Sequence, residues 1–201
     1  MIKNIVFDMG DVLMHFTPKA FADRYDLSES DKALLIETVF AGADWALCDW
    51  GYLTEEQVAE RACAKLPERL HEAVWGCAAG WFDPVMPVEG MADILRRMKA
   101  AGYGLYLLSN AGSHHRDYWP HVPGSEYFDG VFASSYVKVV KPMPEIYTMM
   151  LERFSLDPRE CLFIDNNGQN LAGAQLSGMQ PLHFVDAKKL LDDLKELGIE
   201  L

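Results

Sequence analysis

An apolar run, Ile5-Val6-Phe7, breaks off into Asp8-Met9-Gly10-Asp11, which sets a carboxylate where a buried strand emerges into a loop. Asp8 is the best-placed candidate for a nucleophile, although Asp and Gly are ordinary turn residues and the pattern alone fits a surface turn equally well. Two further apolar runs end in the same manner, Leu107-Leu108 in Ser109-Asn110 and Phe163-Ile164 in Asp165-Asn166. In open parallel sheets ligands bind beyond the carboxyl ends of the strands, so these ends are expected to share one crevice. Lys141-Pro142 adds a fourth element, a lysine biased to extended backbone by the proline that follows it, with Pro144 opening a helix soon after. A rigid ammonium beside two carboxylates and a Ser-Asn pair supplies the cation that an acidic protein needs to attract phosphate.

The elements that must carry these residues follow from periodicity. After the first strand, helical patterning begins near Pro18 and runs through Ser30 to Phe40, with Leu34, Leu35, Val39 and Phe40 on one face. Thr54 and Gln57 form a capping-box start to a helix with Val58, Ala62 and Leu66 on its stripe, and Leu70, Val74, Cys77 and Trp81 mark another beyond Pro67. From Pro84 onward, strands and helices alternate. Strands are expected at Tyr103 to Leu108, Val131 to Ala133, Cys161 to Ile164 and Leu182 to Val185. Helices are expected through Met91 to Met98, from Pro144, from about Asn170 to near Gly178, and from Asp186. Such alternation predicts an α/β fold, a Rossmann-like parallel sheet with helices on both faces. Residues 1–14 and 84–201 are assigned to the α/β core and residues 15–83 to a small all-helical insertion after the first strand, a candidate lid.

With 201 residues the chain can bury roughly 70% of the surface its unfolded form exposes. Eighteen Lys and Arg against thirty Asp and Glu give a net charge of −12, which repels nucleic-acid backbones and anionic membranes. No nucleic-acid or membrane partner is expected, and oligomeric state has no signature in the sequence. Cys48, Cys63, Cys77 and Cys161 form no CxxC pair and sit in apolar patterns, so buried free thiols in a reducing compartment are expected. With no stretch suited to a signal peptide or a membrane span, a cytoplasmic location is expected.

Taken together, Phe7-Asp8-Met9-Gly10, Leu108-Ser109-Asn110, Lys141-Pro142 and Ile164-Asp165-Asn166 resemble the four motifs of the haloacid dehalogenase superfamily in order and spacing. The helical insertion sits where that superfamily carries a helical cap. Trp45 through Gly51-Tyr52-Leu53-Thr54 resembles cap sequence of its sugar-phosphatase-like and epoxide hydrolase N-terminal phosphatase-like branch. The resemblance implies that Asp8 attacks a phosphoryl group in line and that water hydrolyses the resulting aspartyl-phosphate. It implies Mg²⁺ held by Asp8, the Gly10 carbonyl and Asp165, with Ser109 and the Asn110 N–H on phosphoryl oxygens and Lys141 balancing charge. The activity so implied is Mg²⁺-dependent hydrolysis of a small phosphorylated metabolite, a sugar phosphate among the candidates.

The chain also departs from that pattern. Most phosphatases of the superfamily place a second Asp, the general acid and base, where this chain has Gly10. Asp11 is better suited to a turn than to replacing it. Without an acid, esters with stable leaving groups, such as aryl or anomeric sugar phosphates, are expected to be preferred. The segment Asp165-Asn166-Asn167-Gly168-Gln169-Asn170 keeps the first Asp but has amides where many relatives have additional carboxylates, which is expected to weaken Mg²⁺ binding. These departures keep open a catalytically weak relative that binds a phosphorylated ligand or a protein. A 2-haloacid dehalogenase is the lesser alternative, because metal-free dehalogenating members carry Ser where Asp165 stands. Among His114, His115 and His121, His115 is the candidate for substrate contact. Trp45, Trp50 and Tyr52 offer stacking surfaces, with Trp45 the candidate substrate contact and core packing assigned to at least one of the three.

Overall fold

The computed structural model describes residues 1–201. Five parallel strands, β1 (Asn4–Phe7), β2 (Gly104–Ser109), β3 (Gly130–Ala133), β4 (Cys161–Asp165) and β5 (Gln180–His183), lie in the order β3-β2-β1-β4-β5. The helices are α1 (Pro18–Ala22), α2 (Glu29–Val39), α3 (Ala43–Asp49), α4 (Glu55–Cys63), α5 (His71–Ala78), α6 (Met91–Ala100), α7 (His115–Tyr118), α8 (Ser134–Val137), α9 (Pro144–Phe154), α10 (Gly168–Leu176) and α11 (Ala187–Glu196).

The central strand is apolar on both faces because both are covered. Ile5 and Phe7 join Leu105, Leu107, Leu162 and Ile164 against α6 and α11, through Ile94, Leu95, Met98, Leu190 and Leu194. Val6 points the other way, with Leu108 and Phe163, against Ile146, Tyr147 and Met150 of α9 and Ala174 of α10. This two-sided burial is why strands of a parallel sheet read as continuous apolar runs rather than alternating ones. Register aligns the strand ends: Phe7 pairs with Leu107 on one side and Ile164 on the other, so Asp8 emerges level with Leu108 and Asp165.

Residues 15–83 supply α1 to α5 and no strand. The chain leaves and returns side by side, with the His15 N–H donating to Met86 O at 2.7 Å and the Val88 N–H to Leu13 O at 3.0 Å. Phe21, Leu35, Val58 and Val74 from these helices, and Trp81 just beyond α5, bury into the same apolar cluster as Met14 and Phe7.

Several local expectations need correction. The segment from Pro18 to Phe40 is two helices: α1 ends at Ala22, and Ser28 restarts the chain by accepting the Asp31 N–H on its side chain. Leu34 lies 40% exposed while Leu35 and Val39 are buried, because the stripe is narrower than four residues. α3 was not anticipated, being seven residues with a single fully buried side chain, Cys48. β5 lies two residues earlier than expected, since Leu182 pairs with Ile164 and the exposed Val185 falls outside the sheet. The Thr54–Gln57 capping box forms as read, and Asn167 caps α10. Cys48, Cys77 and Cys161 are buried free thiols and Cys63 is a partly exposed one. No helix is long and apolar enough to cross a membrane.

Candidate active site

Asp8, Ser109, Lys141 and the segment after Asp165 open onto one cavity of about 270 Å³ between the strand ends and the helical segment. Its floor is an ion-pair triad. Lys141 Nζ lies 2.7 Å from Asp8 Oδ1 and 2.8 Å from Asp165 Oδ2, and all three residues are buried. Burial opposes the lysine's charge, but the two carboxylates outweigh it and raise the Lys141 pKa. Burial also pushes the Asp8 carboxyl up; Lys141 pulls it down, the charge of Asp165 adds to the rise, and the net direction is upward.

Each member is held by backbone or amide contacts. Asn110 Nδ2 donates to the Lys141 carbonyl at 3.0 Å, and the Lys141 N–H donates to Asn110 Oδ1 at 2.8 Å. The Asn110 side chain is thereby spent on fixing the lysine's backbone. Asp165 accepts the Asn167 N–H at 2.7 Å and Asn170 Nδ2 at 3.0 Å. The amides after Asp165 therefore orient it and cap α10 instead of adding negative charge. Ser109 reaches only the Asn110 carbonyl, at 3.4 Å, which is long for a hydroxyl donor and leaves it free to turn to a ligand.

The oxygens here suit a hard divalent cation. The second oxygen of Asp8 has no side-chain partner, the Gly10 carbonyl accepts no hydrogen bond, and Asp165 retains lone pairs beyond those its donors use. Two buried carboxylates against one ammonium also leave a surplus negative charge at the floor.

Above the floor, Phe16, Trp45, Trp81 and Tyr118 line one side of the cavity. Their rings pack edge-on or tilted, Phe16 to Trp45 at 5.7 Å, Phe16 to Trp81 at 5.0 Å and Trp81 to Tyr118 at 5.1 Å. Trp45 thus reaches the cavity as expected, whereas Trp50 and Tyr52 stack on each other at 6.1 Å outside it. Asp11, at φ 56°, accepts the Phe16 N–H at 3.0 Å, the turn role read from its position. The expectation that His115 contacts a ligand needs correction. Its ring is turned toward α8, Nδ1–H donating to Gly112 O at 2.8 Å and Nε2 accepting the Tyr136 hydroxyl, so both nitrogens are used and it does not line the cavity. Sequence reading did not single out Asp49, Glu55 or Tyr118, which the fold brings there. No periodic or motif signal marks Asp49, whose helix is too short to show one.

Glu55 and Asp49 also fasten the helical segment over the site. Glu55 accepts Ser113 Oγ at 2.8 Å and the His114 N–H at 2.9 Å, and the Asp49 carbonyl accepts Ser134 Oγ at 2.5 Å. Gly112 permits this approach, because a Cβ there would lie 2.4 Å from Glu55 Oε1 and 2.6 Å from Cys48 Sγ. Gly112→Ala is expected to cost about 1–3 kcal/mol by overpacking, read as a lowered urea midpoint.

A family model for haloacid dehalogenase-like hydrolases matches residues 2–178. The chain belongs to that family. It is 27% identical over 199 residues to the sesquiterpene phosphatase astK of Aspergillus oryzae, covering 97% of this chain and 96% of that protein. Among solved structures, it superposes on a HAD-like family hydrolase from Porphyromonas gingivalis with a TM-score of 0.75, 23% identity and full coverage of both chains. A HAD family enzyme of Bacteroides thetaiotaomicron, solved with magnesium and inorganic phosphate, gives a TM-score of 0.69 at 20% identity over 92% of this chain and 96% of that one.

Proposed function

We propose that this protein is a Mg²⁺-dependent phosphomonoester hydrolase that works through an aspartyl-phosphate on Asp8, with residues 15–83 as lid and specificity element. The observation that carries this reading is the triad: Asp8 and Asp165 share the Lys141 ammonium at 2.7 and 2.8 Å on the floor of the cavity, beside Ser109. The full-length similarity to a named phosphatase supports it.

In this mechanism an oxygen of Asp8 attacks phosphorus in line with the departing oxygen, with the Lys141 ammonium 2.7 Å from Oδ1 steadying the carboxylate. Ser109 Oγ and the Asn110 N–H hold phosphoryl oxygens, and Lys141 offsets the charge that collects there. Asp8, the Gly10 carbonyl and Asp165 would hold Mg²⁺, which when bound neutralises phosphate charge and aligns it with the nucleophile. Lys141 is the only cation lining the cavity, while Asp8, Asp11, Asp49 and Glu55 line it as acids. That balance favours an ester whose leaving group is uncharged, and the aromatic wall suits a sugar ring or an apolar group.

Phosphate release from a panel of esters is expected to require added Mg²⁺ and to fall to background in EDTA, with recovery on adding back the metal. Chloride release from 2-chloropropionate in EDTA, with no phosphatase activity, would instead favour the dehalogenase alternative.

A further inference from the structure

Gly10 leaves the nucleophile's own loop without a donor for the proton a departing alkoxide requires. Four groups around the cavity have the chemistry to supply it: Asp11, Glu55, Tyr118 and Asp49. Asp11 is engaged in its turn with the Phe16 N–H and lies beside His15. Both Glu55 oxygens are spent on hydrogen bonds from the neighbouring loop, from Ser113 Oγ and the His114 N–H. The Tyr118 hydroxyl is held well above the usual phenol range by burial and by Glu55 and Asp49, so it is a poor proton donor to the leaving group. Asp49 differs from these three. Its backbone is fixed through its carbonyl to Ser134, yet its carboxyl makes no protein hydrogen bond, and the residue lines the cavity that holds Asp8 and Ser109, within reach of the charge of Asp8. It is also the last residue of α3, where the helix dipole disfavours a negative charge.

We propose that Asp49 is the general acid and base of this enzyme, delivered by the helical segment in place of the carboxylate missing at position 10. The proposal rests on the phosphatase reading above. In the first half-reaction Asp8 forms a bond to phosphorus, the bond from phosphorus to the leaving oxygen breaks, and the Asp49 proton passes to that oxygen, releasing the alcohol and leaving Asp49 as carboxylate. In the second, Asp49 takes a proton from water as the water oxygen attacks phosphorus. The bond to Asp8 then breaks, releasing inorganic phosphate and restoring both side chains.

Burial, then the charges of Glu55 and Asp8, push the Asp49 carboxyl up to about 7 against the pull of Lys141. That value lies where a group can serve as acid and then as base. The groups facing it are Glu55 from α4, Asp8 and Lys141 from the cavity floor, Tyr118 from α7 and Cys48 from its own helix.

The test compares butyl phosphate with 4-nitrophenyl phosphate, whose leaving group departs without a proton, for the wild type, Asp49→Asn, Tyr118→Phe and Asp8→Asn. Asp49→Asn is expected to lower kcat/KM about 10²–10⁴-fold on butyl phosphate and only a few-fold on the aryl ester. It should also remove the fall in butyl-ester kcat/KM above about pH 7 and produce a burst of 4-nitrophenolate as the aspartyl-phosphate accumulates. Should that variant not fold, Asp49→Ser repeats the comparison. Equal losses on both esters, no loss on either, or a leaving-group-dependent loss in Tyr118→Phe alone would overturn the proposal. Turnover lost in Asp8→Asn with no discrimination at Asp49 sinks only this inference, whereas a wild type that turns over neither ester sinks the phosphatase reading with it.

Discussion

Asp8→Asn is expected to reduce phosphate release by at least about 10³-fold, to the level of buffer with Mg²⁺ alone, because no other step in the cycle can replace a lost nucleophile. The amide has the carboxylate's shape and no charge, so the loss should not come from unfolding. Lys141 keeps Asp165 as a partner at 2.8 Å, and one of two mutually repelling buried carboxylates is gone. The urea midpoint of the variant is therefore expected to equal or exceed that of the wild type, as is common where a site trades stability for function. Activity equal in the two proteins would leave a binding protein as the better reading.

Lys141→Ala should have the larger effect on the fold. It strips the shared counter-charge from Asp8, 9% exposed, and Asp165, 0% exposed, and leaves both facing each other away from water. Breaking a buried pair by removing one partner typically costs about 3–5 kcal/mol, and two carboxylates depend on this one lysine. The pH dependence has a definite sign. The Asp8 carboxyl is already raised by burial, and without the pull of the lysine it rises further above its unfolded value, so the native state binds more protons than the unfolded one. The variant's stability must then increase as pH falls through that raised value, and the gap to wild type must narrow toward acid. Urea titrations at pH 7.5 and 5 would show this, and a gap independent of pH would contradict it. Phosphatase activity at neutral pH should fall about 10²–10³-fold even where the protein is folded, from the loss of charge stabilisation. Arginine is not expected to rescue it, because a planar fork cannot occupy the point between Asp8 Oδ1 and Asp165 Oδ2.

Asp8, Ser109, Lys141 and Asp165 were legible in the amino-acid sequence because each is the polar end of a short local pattern. A buried strand must be apolar until it leaves the sheet, so the first polar residue marks the strand's carboxyl end, where β1, β2 and β4 stand level. The alternation of strand and helix was equally local, and so was the capping box at Thr54. His115 was misread because closeness in sequence to Ser109 says nothing of which way a ring turns. Gly112 and Tyr136 hold it off the cavity.

The sequence by itself determined the α/β fold class, the convergence of the four strand-end and loop motifs, and the missing acid at Gly10. Only the tertiary structure decided what surrounds them. Asn110 acts on the backbone of Lys141, the amides after Asp165 are its hydrogen-bond donors, and Asp49 comes down from a helix whose brevity hides it. The physical reason is range. Strand ends and caps are decided by neighbours in the chain, whereas the burial and charge around Asp49 come from Asp8, Glu55 and Lys141, which only the packing of the helical segment on the sheet brings together.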